Sequence, residues 1–175
     1  EFTGDIAWRG LIPRERLPHR MLDTVATNWI GPNASATIYP VRRGEMLNFV
    51  GHAKRGDWRE ESWLTPGTVA ECQADFPGWH QDVMDIIAAI DVPYKWGLFI
   101  REPMAIWGRG RVSLLGDACH ATLPYLAQGA NMAMEDGFVL GRCLDAHRDD
   151  LPRGLRAYED ARRERTAQVI LRSTE

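Results

Sequence analysis

Apolar residues along the chain fall first into strand-like runs and later into helical spacings. Ile6 to Ile12 is rich in apolar residues and ends at Pro13, which predicts a strand. Arg14 to Asp23 is charged and broken by proline, and reads as a loop or short helical piece. Gly31-Pro32-Asn33 signals a turn. Ala34 to Val41 and Met46 to Ala53 then flank Arg42-Arg43-Gly44-Glu45, which predicts a β-hairpin, and Pro40 suits an edge or terminal position. Thr65 as cap and Pro66 as first helical residue predict a helix start, interrupted at Phe76-Pro77-Gly78. Trp79, Val83, Ile86, Ile87 and Ile90 lie on one face of a second helix, which Pro93 stops. Tyr94 to Ile100 reads as a strand, and Arg111 to Asp117 as a short buried strand with a polar end. A loop from Ala118 to Gly129 leads into an apolar helix from about Asn131 to Asp145. After Pro152-Arg153-Gly154, Leu155 to Arg172 reads as a last amphipathic helix.

This order predicts an α+β protein without internal repeats. Residues 1–105 form a mixed β-sheet lobe with helices. Residues 106–175 form the tail of a different domain: its last strand, a loop and two C-terminal helices.

Composition narrows the picture only a little. The 175 residues suffice for one core or two small lobes, and 45% hydrophobic with 26% charged residues is ordinary for a globular chain. A net charge of −3 provides no basic field for nucleic acid. Arg162, Arg163 and Arg165 share their segment with Glu159, Asp160 and Glu164, and read as a solvated helix face. Cys72, Cys119 and Cys143 form no CxxC pair, so free thiols and a cytoplasmic location are expected. No apolar run approaches the roughly 18 residues of a membrane span, and no charged apolar leader opens the chain. Cys119-His120 has no further ligands at metal-binding spacing, so no metal site is expected. The seven tryptophans, with Met132 and Met134, read as packing residues. There is no initiator methionine, and Glu1-Phe2-Thr3-Gly4 runs directly into Ile6-Ala7-Trp8, as a piece of a longer protein would.

The chemistry concentrates between Leu114 and Asp136. A strand delivering Asp117 at its C-terminal end would place two acceptor oxygens where ligands of open sheets gather. Gly116 removes a side chain from the approach, Pro124 stiffens the loop, and Gly129 permits a close turn. Free N–H groups at the following helix start could face an anionic or polarised group.

This stretch, Gly116-Asp117, Pro124 and Gln128-Gly129-Ala130-Asn131-Met132-Ala133-Met134-Glu135-Asp136, resembles the second FAD motif of single-component flavoprotein aromatic hydroxylases of the salicylate hydroxylase type. Phe2-Thr3-Gly4 with Ala7-Trp8-Arg9-Gly10 resembles the strand that opens that family's substrate domain. Tyr39-Pro40-Val41-Arg42 with Gly44-Glu45 and Asn48 resembles its central hairpin. The resemblance implies that Gly116, Asp117, Pro124, Gln128, Gly129, Ala130 and Asn131 bind FAD, with Asp117 on the ribityl chain and Gly129 to Asn131 along the pyrimidine edge. Tyr39, Pro124 and Leu126 are implied on the substrate side. Tyr125, which could polarise a substrate hydroxyl, and His120, a possible base, are the catalytic candidates. NADH or NADPH would reduce the flavin, and O2 would give a C4a-hydroperoxide that hydroxylates a small phenolic acid.

Two departures qualify the resemblance. The family's Gly-x-Gly-x-x-Gly fingerprint is missing, since Gly108-Arg109-Gly110-Arg111 has Ser113 where the third glycine belongs and precedes a strand. The chain alone is therefore expected to be inactive, and its exposed apolar surface to favour a homodimer or a domain swap. The region Asn33-Ala34-Ser35-Ala36-Thr37 also lacks the histidine that many relatives carry before Tyr-Pro. His52 and Tyr39 lie on the hairpin as further substrate-facing candidates. The rival readings are a stand-alone aromatic-ligand-binding domain without redox activity, and a related flavoprotein catalysing epoxidation or dehydrogenation.

Overall fold

The computed structural model describes residues 1–18, 25–59, 62 and 65–174, so the expectation for Arg14 to Asp23 lies outside the described residues from position 19 onward. The chain divides into two compact units, Phe2–Leu98 and Phe99–Glu175 with Glu1. The fold is mixed α+β with a mostly antiparallel sheet.

The first unit is built on a six-stranded sheet in the order β2-β3-β4-β1-β6-β5. Its strands are β1 (Phe2–Pro13), β2 (Thr27–Gly31), β3 (Ala34–Val41), β4 (Met46–Lys54), β5 (Thr65–Pro66) and β6 (Tyr94–Phe99). β4 is the central pairing strand. It runs antiparallel to β1, with Leu11 opposite Asn48, and to β3, with Tyr39 opposite Asn48. Alternation then sorts the side chains. Ile6, Trp8 and Ile12 of β1, Phe49 and Ala53 of β4, and Ala36 and Ile38 of β3 enter one apolar core. Helices α1 (Val69–Ala74) and α2 (Gln81–Ala88) cover that core with Cys72, Val83, Ile86 and Ile87. Gly51 sits on this face because a Cβ there would lie 2.7 Å from both Phe49 Cζ and Phe76 Cζ. Gly51→Ala is therefore expected to cost about 1–3 kcal/mol by overpacking, measured by urea unfolding. A cost below about 0.5 kcal/mol would contradict this packing.

The predicted hairpin is β3–β4, joined by a 3-10 turn at Arg42–Gly44. The Gly31-Pro32-Asn33 turn joins β3 to β2, a strand that the hydrophobic pattern did not reveal. Thr65 and Pro66 do not start a helix. They pair with Lys95 and Tyr94 as β5, and the cap lies three residues on. Thr68 Oγ1 accepts the Glu71 N–H at 3.1 Å, and Glu71 Oε2 accepts the Thr68 N–H at 2.8 Å. That reciprocal capping box satisfies two otherwise orphaned donors, which Pro66 at the first helical position could not do.

In the second unit, β7 (Gly108–Arg109) and β8 (Val112–Ser113) form a small hairpin. The expected buried strand from Arg111 to Asp117 is not formed. Only Val112 and Ser113 pair, Val112 is 69% exposed, and Leu115 is 41% exposed. A buried strand is covered by sheet neighbours and packed faces, and among the described residues only β7 pairs with this segment. The predicted loop contains the short helix α3 (Asp117–His120) and a 3-10 turn at Pro124–Leu126. Helices α4 (Gly129–Ala146) and α5 (Leu151–Arg172) follow. Pro152 does not break the last helix but sits in its first turn, capped by Asp150, whose Oδ1 accepts the Arg153 N–H at 3.1 Å. Gly154 lets α5 approach α4, since a Cβ there would lie 3.2 Å from the Cys143 carbonyl.

Two packing expectations need correction. Met132 is fully buried, but Met134 is 67% exposed because it points away from α5. Arg162 does not belong to a solvated face. It is 4% exposed, on the stripe Tyr158, Arg162, Thr166 and Ile170, where every fourth residue turns inward.

Candidate functional site

Gly116 follows the β7–β8 hairpin by three residues and is the N-cap residue of α3, with φ 62° and ψ −141°, a conformation costly for any residue with a Cβ. Its carbonyl accepts the backbone N–H groups of Cys119 and His120, each at 3.0 Å. Its own N–H donates to Asp136 Oδ2 at 3.0 Å. The next residue, Asp117, is the first of α3 and its side chain is exposed.

The loop then returns to Asp117. Pro124, Tyr125 and Leu126 form the 3-10 turn, all exposed, and Ala127 takes a left-handed φ of 50° with its N–H on the Pro124 carbonyl. Gln128 is the N-cap residue of α4, with no side-chain cap. A Cβ on Gly129 would lie 3.9 Å from Asp117 Oδ1 and 3.7 Å from Thr122 Cγ2. The carboxylate thus sits beside the first turn of an 18-residue helix. The first N–H groups of a helix, here Gly129, Ala130 and Asn131, have no intrahelical acceptor. A polar ligand reaching this corner would meet acceptor oxygens from Asp117 and donors from α4, with no Cβ from Gly116 or Gly129 in the way. This cradle suits a ligand that carries hydroxyl groups and a polar or anionic edge.

His120 is placed differently from its neighbours in sequence. It is 1% exposed, its Nε2 lies 2.5 Å from Asp136 Oδ2, and its ring lies 5.3 Å from that of Trp107. Asp136 is fully buried, and its Oδ1 accepts from Arg162 Nε at 2.8 Å. Burial works to raise the Asp136 pKa, but hydrogen bonds from Arg162, His120 and the Gly116 N–H outweigh it and hold the carboxyl below its usual range. Glu135, bridged to Arg165 and Arg162, is held at about 2, with the Arg165 hydrogen bond the largest cause. Burial pushes the Cys119 thiol up to about 12, which favours the protonated thiol at neutral pH. Asp136 and Arg162 were not apparent as site residues in the sequence. The available signal was the spacing of four that puts Arg162 in line with buried Tyr158 and Thr166.

Tyr39 belongs to the other unit. It lies on the sheet face opposite the core, across from Asn48, which is 1% exposed and accepts from Arg9 Nε at 3.4 Å. His52 shares that face, with Nδ1 3.2 Å from the hydroxyl of Ser35 directly across the ladder. Burial lowers the His52 pKa, against a smaller opposing effect of Asp5, and favours the neutral ring. Among the described residues no cluster of three or more His, Cys, Asp or Glu side chains is placed to hold a metal ion, and no helix is long and apolar enough to cross a membrane.

Residues 8–173 match the family described as FAD binding domain. The chain is 38% identical over 174 residues to a 3-amino-4-hydroxybenzoate 2-monooxygenase of Streptomyces platensis, covering 99% of this chain and 44% of that protein. It is 37% identical over 176 residues to a 3-hydroxybenzoate 6-hydroxylase of Polaromonas naphthalenivorans, covering 99% of this chain and 43% of that protein. Among solved structures, a salicylate hydroxylase substrate complex superposes with a TM-score of 0.84 at 27% identity, over 99% of this chain and 46% of the other. A Klebsiella pneumoniae protein complexed with FAD and uric acid gives 0.85 at 30%, over 99% and 44%. The chain spans less than half the length of these relatives.

Proposed function

From the premise that the chain belongs to the FAD binding domain family, we propose that it is the C-terminal part of an NADH- or NADPH-dependent monooxygenase that hydroxylates a small phenolic or hydroxylated aromatic acid. The observation that carries this reading is the Asp117 carboxylate beside Gly129 at the uncapped start of α4. Asp117 would accept hydrogen bonds from ribityl hydroxyls. The N–H groups of Gly129, Ala130 and Asn131 would line the pyrimidine edge of FAD, where the helix dipole favours negative charge. Gly116 keeps the approach open, and Gln128 and Pro124 border it. The chemistry FAD supplies when bound is acceptance of a hydride from the nicotinamide and activation of O2.

On the substrate side we place Pro124 and Leu126 of the second unit; Tyr39 of the first unit is proposed, on its own, as a substrate-facing residue. Tyr125, 45% exposed on the turn before α4, is the group we assign to polarise the substrate hydroxyl. His120 is walled in by Asp136 and Trp107, so we give it positioning rather than proton transfer. A cytoplasmic location suits the three free thiols. Exposed Met134 and Phe138 make self-association of the chain, as a homodimer or by domain swap, part of the proposal.

The test is product analysis. The full-length protein carrying this chain, given FAD, NADH or NADPH and a hydroxybenzoate, should form a ring-hydroxylated product. The 175-residue chain under the same conditions should not oxidise the nicotinamide. Turnover by the chain alone would contradict the proposal. Tight salicylate binding by the chain without flavin would favour an aromatic-ligand-binding domain instead.

A further inference from the structure

Asp136 has no ligand-contacting role in the reading above, yet its carboxylate holds three partners in the second unit. It is fully buried on α4. Its Oδ2 accepts the Gly116 N–H at 3.0 Å and lies 2.5 Å from His120 Nε2, while its Oδ1 accepts from Arg162 Nε at 2.8 Å. Arg162 is fixed in turn, with Nη2 on the Met132 carbonyl at 3.3 Å and Nη1 on Glu135 at 2.7 Å. The residue so held, Gly116, directly precedes Asp117 and has a left-handed φ of 62°. Its N–H is gripped from α4 and its carbonyl from α3. The direction in which Asp117 leaves the chain is therefore set by a peptide clamped on both sides. A glycine in that conformation has little intrinsic preference to keep it there.

We infer that Asp136, braced by Arg162 and His120, is a positioning residue for the flavin site, acting through Gly116 to aim the Asp117 carboxylate. The inference rests on the reading that Asp117 contacts FAD. A buried ion cluster can also serve stability alone, and the two roles differ in one measurable way. A residue that only stabilises the unit would weaken FAD binding whether or not Asp117 is present. A residue that acts through Asp117 would lose its effect once that carboxylate is gone.

The experiment measures FAD dissociation constants by flavin fluorescence for the full-length protein carrying this chain. The variants are Asp136→Asn, Asp117→Ala and the double variant, each with a urea unfolding curve. Asparagine keeps the size of Asp136 but cannot accept hydrogen bonds at both ends. Asp136→Asn is expected to weaken FAD binding by about tenfold, the size of one lost charge-assisted hydrogen bond. Added to Asp117→Ala, it should weaken binding by less than about threefold further. A folded Asp136→Asn protein with wild-type FAD affinity overturns the inference. So does a penalty of equal size with and without Asp117. If Asp136→Asn does not fold, Arg162→Lys, which keeps the charge but loses the planar fork, decides by the same two criteria. Wild-type FAD affinity in Asp117→Ala would instead sink the flavin reading itself, and so is distinguishable from failure of the inference.

Discussion

Arg162→Ala is expected to lower the unfolding free energy by about 3–5 kcal/mol, the cost typical of removing one partner from a buried ion pair. The guanidinium is 5% exposed and faces a carboxylate, Asp136, that is fully buried. Without it, Asp136 keeps the Gly116 N–H and His120 but loses the only arginine that reaches it among the described residues. Glu135 and the Met132 carbonyl lose a donor as well. Urea unfolding of wild type and variant measures the loss. A decrease of less than about 1 kcal/mol, the range of an exposed pair, would show that the cluster is solvated.

Asp117→Ala, in the full-length protein, is expected to weaken FAD binding by about tenfold to a hundredfold, since a carboxylate accepting ribityl hydroxyls makes charge-assisted bonds. Its side chain is exposed at the start of α3 and its Oδ1 borders Gly129, so its removal leaves no buried group unsatisfied. Stability should change little, within about 0.5 kcal/mol. Equilibrium dialysis with FAD, read beside an unfolding curve, separates the two effects. Unchanged affinity would contradict the assignment of Asp117 to the cofactor.

Several elements were legible in the sequence because their signals are local. The two strand-like runs around a glycine-containing link define the β3–β4 hairpin, and the single apolar face from Trp79 to Ile90 defines α2. The run from Gly116 to Asp136 was legible as a family motif by resemblance, and the structure brings its Asp117 and Gly129 together at a helix start. Other features depend on partners distant in the chain. Thr65 and Pro66 have the composition of a helix start, yet β6 claims them as a strand, and the capping box shifts to Thr68 and Glu71. Arg111 to Asp117 has the hydrophobicity of a buried strand, but hydrophobicity does not supply neighbours, and Val112 remains exposed.

Arg162 shows the division most clearly. Its surroundings in sequence are mixed charges, the mark of a solvated face, and for Arg163 and Arg165 that description holds, with side chains 46% and 52% exposed. Arg162 alone turns inward, because the groups that neutralise it, Asp136 and Glu135, stand on α4, with Asp136 26 residues earlier. The sequence alone determined which residue types stand at the corner between α3 and α4 and which segments could form strands and helices, since both follow from local spacing. Only the tertiary structure decided which charges are buried and which carboxylate holds Gly116, because desolvation and pairing depend on what lies across the helix interface.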